Sequence, residues 1–204
     1  MIIIVDYGVG NLGSIQNMIK QNGGHASISG NPEELSKATK LILPGVGAFD
    51  YGMDQLHSSG LVPFLNKKVL EEKTPILGIC LGAQLLTRRS EEGVKPGLGW
   101  IDADTKRFRL DDKKHLKIPH MGWDEVSFSK PSKLTINLPV PSRFYFVHSY
   151  HFVCDNAQDP LMMTEYGYPF VSAFEKGNVA GVQFHPEKSH KFGLQLLKNF
   201  VEQF

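Results

Sequence analysis

The chain has 204 residues, 41% hydrophobic and 21% charged, with 22 Lys and Arg against 21 Asp and Glu for a formal net charge of +1. That size and balance fit one soluble globular domain with a sizeable core, taken as residues 1–204. Basic residues are scattered among acids, which argues against a nucleic-acid surface, and Asp6 cuts off the apolar start Met1–Val5 before it could form a signal peptide or a membrane span.

Apolar runs at Ile2–Val5, Ala26–Ser29, Leu41–Leu43 and Ile76–Ile79 read as strands. They alternate with helical patterns at Leu12–Asn22, Leu61–Glu72 and Leu81–Arg88, the order of a parallel α/β sheet. The first helix is expected to bury Leu12, Ile15, Met18 and Ile19 and to stop at Gly23-Gly24. Just before it, Gly8-Val-Gly-Asn-Leu-Gly13 matches the Gly-x-Gly-x-x-Gly of dinucleotide sites, but the acidic residue expected at the end of the second strand is missing. There Ala26-Ser-Ile-Ser29 runs into Gly30-Asn31-Pro32, and Glu33 begins the next helix. The glycines read instead as a tight turn on the catalytic face, with Asn11 pointing outward. A second glycine run, Leu43-Pro-Gly-Val-Gly-Ala-Phe49, is either a plain strand exit or a backbone that offers N–H groups to an oxyanion.

From about Gly97 to Val153 the period shortens toward two, as in Trp123–Phe128 and Phe144–Val147, which predicts antiparallel or mixed sheet. Strands near Phe170–Phe174 and Val179–Phe184 follow. A helix from Ser189 closes the chain, with Phe192, Leu196, Leu197, Phe200 and Val201 on one stripe.

The chemistry gathers at two strand ends. In Thr74-Pro-Ile-Leu-Gly-Ile-Cys-Leu-Gly-Ala-Gln84 a strand ends in Gly-x-Cys-x-Gly and a helix starts at once, a nucleophile elbow with sulfur in place of oxygen. In Val179-Ala-Gly-Val-Gln-Phe-His-Pro-Glu-Lys188, Pro186 keeps His185 extended, so Glu187 falls on the same side as the imidazole. Cys80, His185 and Glu187 thus have the makings of a triad that attacks an acyl carbon. The plainer readings are a buried packing cysteine and a His-Pro that merely ends a strand; the two glycines flanking Cys80 weaken the first. On the residues alone a cysteine peptidase, a freestanding amidase and a thiol sensor stay open beside an amidotransferase. Cys154, the only other cysteine, reads as structural, and two cysteines are too few for a disulfide framework, so a reducing, cytoplasmic setting is expected.

Together with Asp6-Tyr-Gly-Val-Gly-Asn11, Ile118-Pro-His-Met-Gly-Trp123 and Tyr145-Phe-Val-His-Ser-Tyr150, these runs resemble, end to end, the glutaminase subunits of imidazole glycerol phosphate synthases. Those subunits are class I (triad) glutamine amidotransferases. The resemblance implies a flavodoxin-like three-layer α/β/α fold with a mixed central sheet, Cys80 as nucleophile, His185 as base and acid, and Glu187 as its orienter. It implies amides of Val46 and Leu81 as oxyanion donors, and Gly47, Gln84, Ser149 and Tyr150 as residues that hold L-glutamine. Asn11, Trp123 and Lys188 match positions facing a (β/α)8-barrel cyclase, the heterodimer partner that receives the ammonia to make imidazole glycerol phosphate and AICAR in histidine biosynthesis. No cofactor or metal is implied. Ala83, Asp124 and Gly13 depart from the commonest pattern, where Met, Asn and a larger residue are usual. Pro96–Phe108, Tyr166-Gly-Tyr168 and His190-Lys-Phe192 are closer to a paralogous branch that supplies ammonia for sugar amidation in bacterial surface polysaccharides.

Overall fold

The computed structural model describes residues 1–111 and 116–204. The run Ile-Ile-Ile-Val forms β1 (Ile2–Val5), buried on both faces: Ile2 and Ile4 enter one hydrophobic cluster, Ile3 and Val5 the other. A turn with Gly8 and Gly10 in the left-handed region leads into α1 (Leu12–Gln21). Ile15, Met18 and Ile19 are buried there and Leu12 only partly, while the Gly24 amide closes the helix on the Ile19 carbonyl. β2 (Ala26–Ser29) precedes α2 (Pro32–Leu35), a single turn capped by Asn31, whose side chain accepts from the Glu33 amide.

β3 (Lys40–Gly45) is followed by α3 (Phe49–Ser58), a helix absent from the sequence-based expectations. Its apolar stripe Phe49, Met53, Leu56 is interrupted by Gly52, where an added Cβ would sit 3.0 Å from Leu81 Cδ2. The helix expected over Leu61–Glu72 comes in two pieces, α4 (Val62–Asn66) and a π-helical turn over Lys67–Glu71. β4 (Ile76–Cys80) runs directly into α5 (Leu81–Leu85), shorter than the expected Leu81–Arg88. The helix stops because the buried Thr87 hydroxyl donates to the Gln84 carbonyl and Arg88 and Arg89 turn away to pair with Asp104.

Six strands then follow: β5 (Arg89–Ser90), β6 (Ala103–Arg107), β7 (His120–Phe128), β8 (Ser142–His148), β9 (Tyr150–Cys154) and β10 (Pro160–Tyr166). The antiparallel or mixed sheet expected from about Gly97 to Val153 is present as β6 to β9, although the period-two stretches Trp123–Phe128 and Phe144–Val147 cover only parts of β7 and β8. β11 (Tyr168–Lys176) and β12 (Val179–Val182) lead through a 3-10 turn at Pro186–Lys188 into α6 (His190–Glu202). Leu196, Leu197 and Phe200 of α6 are buried, and Phe192 and Val201 pack at the margin of the same cluster. Among the described residues no helix is long and apolar enough to cross a membrane.

The strands lie in the order β2–β1–β3–β4–β12–β11–β10–β7–β8, with β9 beside β11 and carrying β6 and β5. From β2 to β12 neighbours are parallel; from β12 to β8 they are antiparallel. α1 and α6 contribute to the cluster on one face of the sheet, and α3, α4 and α5 to the cluster on the other. This is the expected three-layer α/β/α arrangement with a mixed central sheet. Gly45 is in register with Cys80 and Val182 with Ile79, so the carboxyl ends of β3, β4 and β12 open on one edge, where ligands bind in parallel α/β sheets.

The fit at that edge is tight. A Cβ on Gly78 would lie 2.6 Å from Ala83 Cα, and one on Gly82 1.9 Å from the Leu43 carbonyl oxygen. Gly82→Ala should therefore destabilise the fold by more than about 3 kcal/mol, read as a lowered urea midpoint, because backbone and not a pliable side chain must yield. Gly13→Ala, with nothing within 4 Å, should leave the midpoint within error.

Candidate active site

Cys80 closes β4 at φ +53° and ψ −114°, a strained conformation for a residue with a side chain, and α5 begins at the next residue. The turn lifts the sulfur above the sheet edge while leaving it largely covered. As the first residue of α5, Leu81 has an N–H with no intrahelical acceptor. Gln183 Nε2 lies 3.8 Å from Cys80 Sγ, and its Oε1 accepts from Gln84 Nε2 at 3.0 Å.

His185 leaves β12 in an extended conformation, φ −101° and ψ 96°, as the following proline demands. Its amide donates to the Tyr145 carbonyl, and Ser189 Oγ donates to its own carbonyl, so the backbone is held from both sides. Nδ1 of the ring is 2.7 Å from Glu187 Oε1, and both side chains are buried. Burial opposes a charge on this imidazole, but its interactions with Cys80 and Glu187 outweigh burial and push His185 up to about 10. The arrangement favours an imidazolium between sulfur and carboxylate.

Cys80 and His185 face a cleft of about 420 Å³. Cys80, Leu81 and Gln84 form its floor, Val46 and Gly47 one rim, Ser149 and Tyr150 another, and His185 and Lys188 close it. Gly47 is in the left-handed region at φ +100° and Val46 is exposed, so the rim backbone turns sharply where β3 ends. Glu187 stands behind His185 and does not line the cleft. Nor do Asn11 and Trp123: Asn11 is exposed at the start of α1, accepting from Ser14 Oγ, and Trp123 on β7 is stacked against His190 with ring centroids 5.4 Å apart. Lys188 Nζ lies over the Tyr145 ring.

The cleft includes residues that motif reading passes over. Glu92 lines it, with Oε2 accepting from the Phe49 amide at 2.9 Å. Tyr7, just before the first glycine run and outside the cleft lining, donates its hydroxyl to the Pro44 carbonyl at 2.7 Å, tying the first loop to the rim. His148 forms part of the wall. Cys154 lies in β9, where burial and the nearby carboxylates of Asp159 and Asp155 push its thiol up to about 12.

The class I glutamine amidotransferase family model matches residues 3–204, and the chain belongs to that family. It is 59% identical over 203 residues to imidazole glycerol phosphate synthase subunit HisH 2 of Methanococcus maripaludis, covering 100% of both chains. It is 53% identical to imidazole glycerol phosphate synthase subunit HisH 2 of Pseudomonas aeruginosa, covering 99% of each. Its fold is similar to a crystal structure of a glutamine amidotransferase at TM-score 0.69 and 20% identity, over 96% of this chain and 98% of that one.

The cleft wall makes stability depend on pH. Burial pushes His148 from 6.5 down to about 3, and burial likewise holds His151 below its usual range. Between those limits the unfolded chain binds a proton that the folded chain refuses at His148, so its contribution is complete above pH 6.5 and lost as pH falls toward 3, and His151 acts with the same sign. His185 has the opposite sign: its contribution is complete below 6.5 and lost as pH rises through about 10. Unfolding free energy from urea titrations should fall on acidification from about pH 7 to about pH 5, by up to about 1.4 kcal/mol per pH unit through His148, with His151 adding in the same direction.

Proposed function

We propose that this chain is the glutaminase subunit of an imidazole glycerol phosphate synthase, hydrolysing L-glutamine to glutamate and ammonia and passing the ammonia to a (β/α)8-barrel cyclase in histidine biosynthesis. The observation that carries this reading is the strained Cys80 facing a buried His185–Glu187 pair at the floor of a cleft. Full-length identity of 59% and 53% to two HisH subunits supports the acceptor pathway.

In this reading the Cys80 thiolate attacks the carboxamide carbon of glutamine, and the oxygen takes up negative charge opposite the amides of Val46 and Leu81. The C–N bond breaks as His185 gives its proton to the departing nitrogen, releasing ammonia and leaving a γ-glutamyl thioester. Water then gives a proton to His185 and attacks the thioester; the C–S bond breaks, and glutamate leaves with the thiolate restored. Glu187 holds the ring so that one nitrogen always faces the sulfur. Glutamine also carries an α-ammonium and an α-carboxylate. Glu92 at the rim supplies a charge for the first, and Gly47, Gln84, Ser149 and Tyr150 surround the rest. Asn11, Trp123 and Lys188 mark the face on which the cyclase docks, and exposed Met121, on the same side of β7 as Trp123, adds apolar surface to bury.

Cys80→Ala should abolish hydrolysis without unfolding the chain, and Cys80→Ala/His185→Ala should be no worse than either single variant, because the two act in one step. A glutamine-like diazoketone should label Cys80 and spare Cys154; equal labelling by peptide mass mapping would reject the assignment.

The test of the whole reading is glutamine turnover with and without the cyclase and its acceptor substrate. Docking that turns one rim amide toward the oxyanion should raise turnover by about 10²–10³. Stimulation by a barrel subunit of the sugar-amidating kind instead would reassign the acceptor, and full activity without any partner would leave a freestanding amidase.

A further inference from the structure

Behind the His148–Tyr150 wall of the cleft, a line of hydrogen bonds leads from the pocket to the surface. His148 Nδ1 lies 2.6 Å from the Tyr150 carbonyl oxygen, His148 Nε2 lies 2.9 Å from His120 Nδ1, and His120 Nε2 lies 3.1 Å from Asp124 Oδ2. Both rings are buried, whereas the Asp124 side chain on β7 is 38% exposed. Tyr166 and Phe146 stack on His120, and Phe108 and Phe170 pack against both imidazoles.

The partners dictate where the protons are. A carbonyl only accepts, so His148 carries its proton on Nδ1 and, as a neutral ring, presents a bare Nε2. His120 must then donate from Nδ1. If His120 were neutral too, its Nε2 lone pair would face a carboxylate oxygen at 3.1 Å, acceptor against acceptor. The contact closes only when the pair carries one more proton.

We infer that His120 and Asp124 share one proton, and that through the His120–His148 relay this pair positions the Ser149–Tyr150 segment of the glutamine pocket. The pocket role rests on the glutaminase reading above. Of the two rings, the one at the Asp124 end is the better placed to carry the proton. Burial holds both rings below the ordinary histidine range; at His120 Asp124 counters it in part, whereas His148 faces His120, His151 and His185, all of which disfavour a charge there. From β11, Tyr168 meets His151 Nε2 and satisfies that ring separately. When the shared proton leaves at higher pH, Asp124 repels His120, and the Tyr150 carbonyl loses a partner held in place. An asparagine at this position would donate an amide N–H to His120 Nε2 and keep the relay without the extra proton.

The test compares the full chain with Asp124→Asn, saturated with the cyclase and its acceptor, from about pH 5.5 to about pH 8.5, the span of histidine titration. Over that span the wild-type KM for glutamine should rise about fivefold more than that of Asp124→Asn, the size of one lost hydrogen bond, with the ratio of their kcat values constant. Nitrogen-15 spectra of histidine-labelled free chain should show the His120 Nε2 signal titrating in wild type and not in Asp124→Asn, with His148 protonated on Nδ1 throughout. A His120 Nε2 that does not titrate, or KM profiles that coincide, would overturn the inference. A chain that hydrolyses no glutamine with either barrel partner overturns the glutaminase reading and the pocket role with it, while the shared proton stands or falls on the spectra alone.

Discussion

The catalytic edge depends on how closely three stretches of backbone approach one another. At Gly45, Gly78 and Gly82 the strands β3 and β4 and the helix α5 leave no room for a side chain: a Cβ on Gly45 would meet both the Gly82 amide nitrogen and the Tyr7 hydroxyl at 2.7 Å. That contact holds Cys80 in a backbone conformation costing about 1–3 kcal/mol, which the apolar clusters on both faces of the sheet offset. It also sets the Pro44–Gly47 rim beside the sulfur. Because Tyr7 bonds the Pro44 carbonyl, and the same loop ends at the exposed Asn11, the rim is mechanically continuous with the proposed docking face.

Two buried histidines at the cleft are driven in opposite directions. Burial disfavours charge on both, and the difference lies in what each ring meets. His185 lies between a sulfur and a carboxylate and is raised; His148 meets a carbonyl and another imidazole and is lowered to about 3. A single low-dielectric pocket thus favours a charged ring at His185 and a neutral one at His148, a fixed donor to the Tyr150 carbonyl.

Much of this was legible because it is local. Gly-x-Cys-x-Gly after an apolar strand, and His-Pro-Glu after another, state their geometry within a few residues, and the parallel order of β3, β4 and β12 brings the two together. Glu92 was illegible because its place depends on a loop that Asp50 folds by accepting from the Val94 and Lys95 amides, a contact across more than forty positions. α3 was missed because Gly52, needed for packing against α5, breaks its apolar stripe. Asp124 stood out as a departure from a pattern, yet its meaning waited on the register that sets His120 opposite His148. The short strands β5, β6 and β9 carry too little alternation to be read alone.

The sheet order also fixes when the enzyme comes into being. β12, between β4 and β11, is synthesised after both, and it brings His185 to a cysteine made 105 positions earlier. At ribosomal elongation rates that interval is on the order of ten seconds. Throughout it the thiol has no imidazole beside it, and the apolar flank of β4 that β12 will cover lies open. The nascent polypeptide thus carries an uncovered apolar strand edge through that interval, and the Cys80–His185–Glu187 cluster forms only once β12 has entered the sheet.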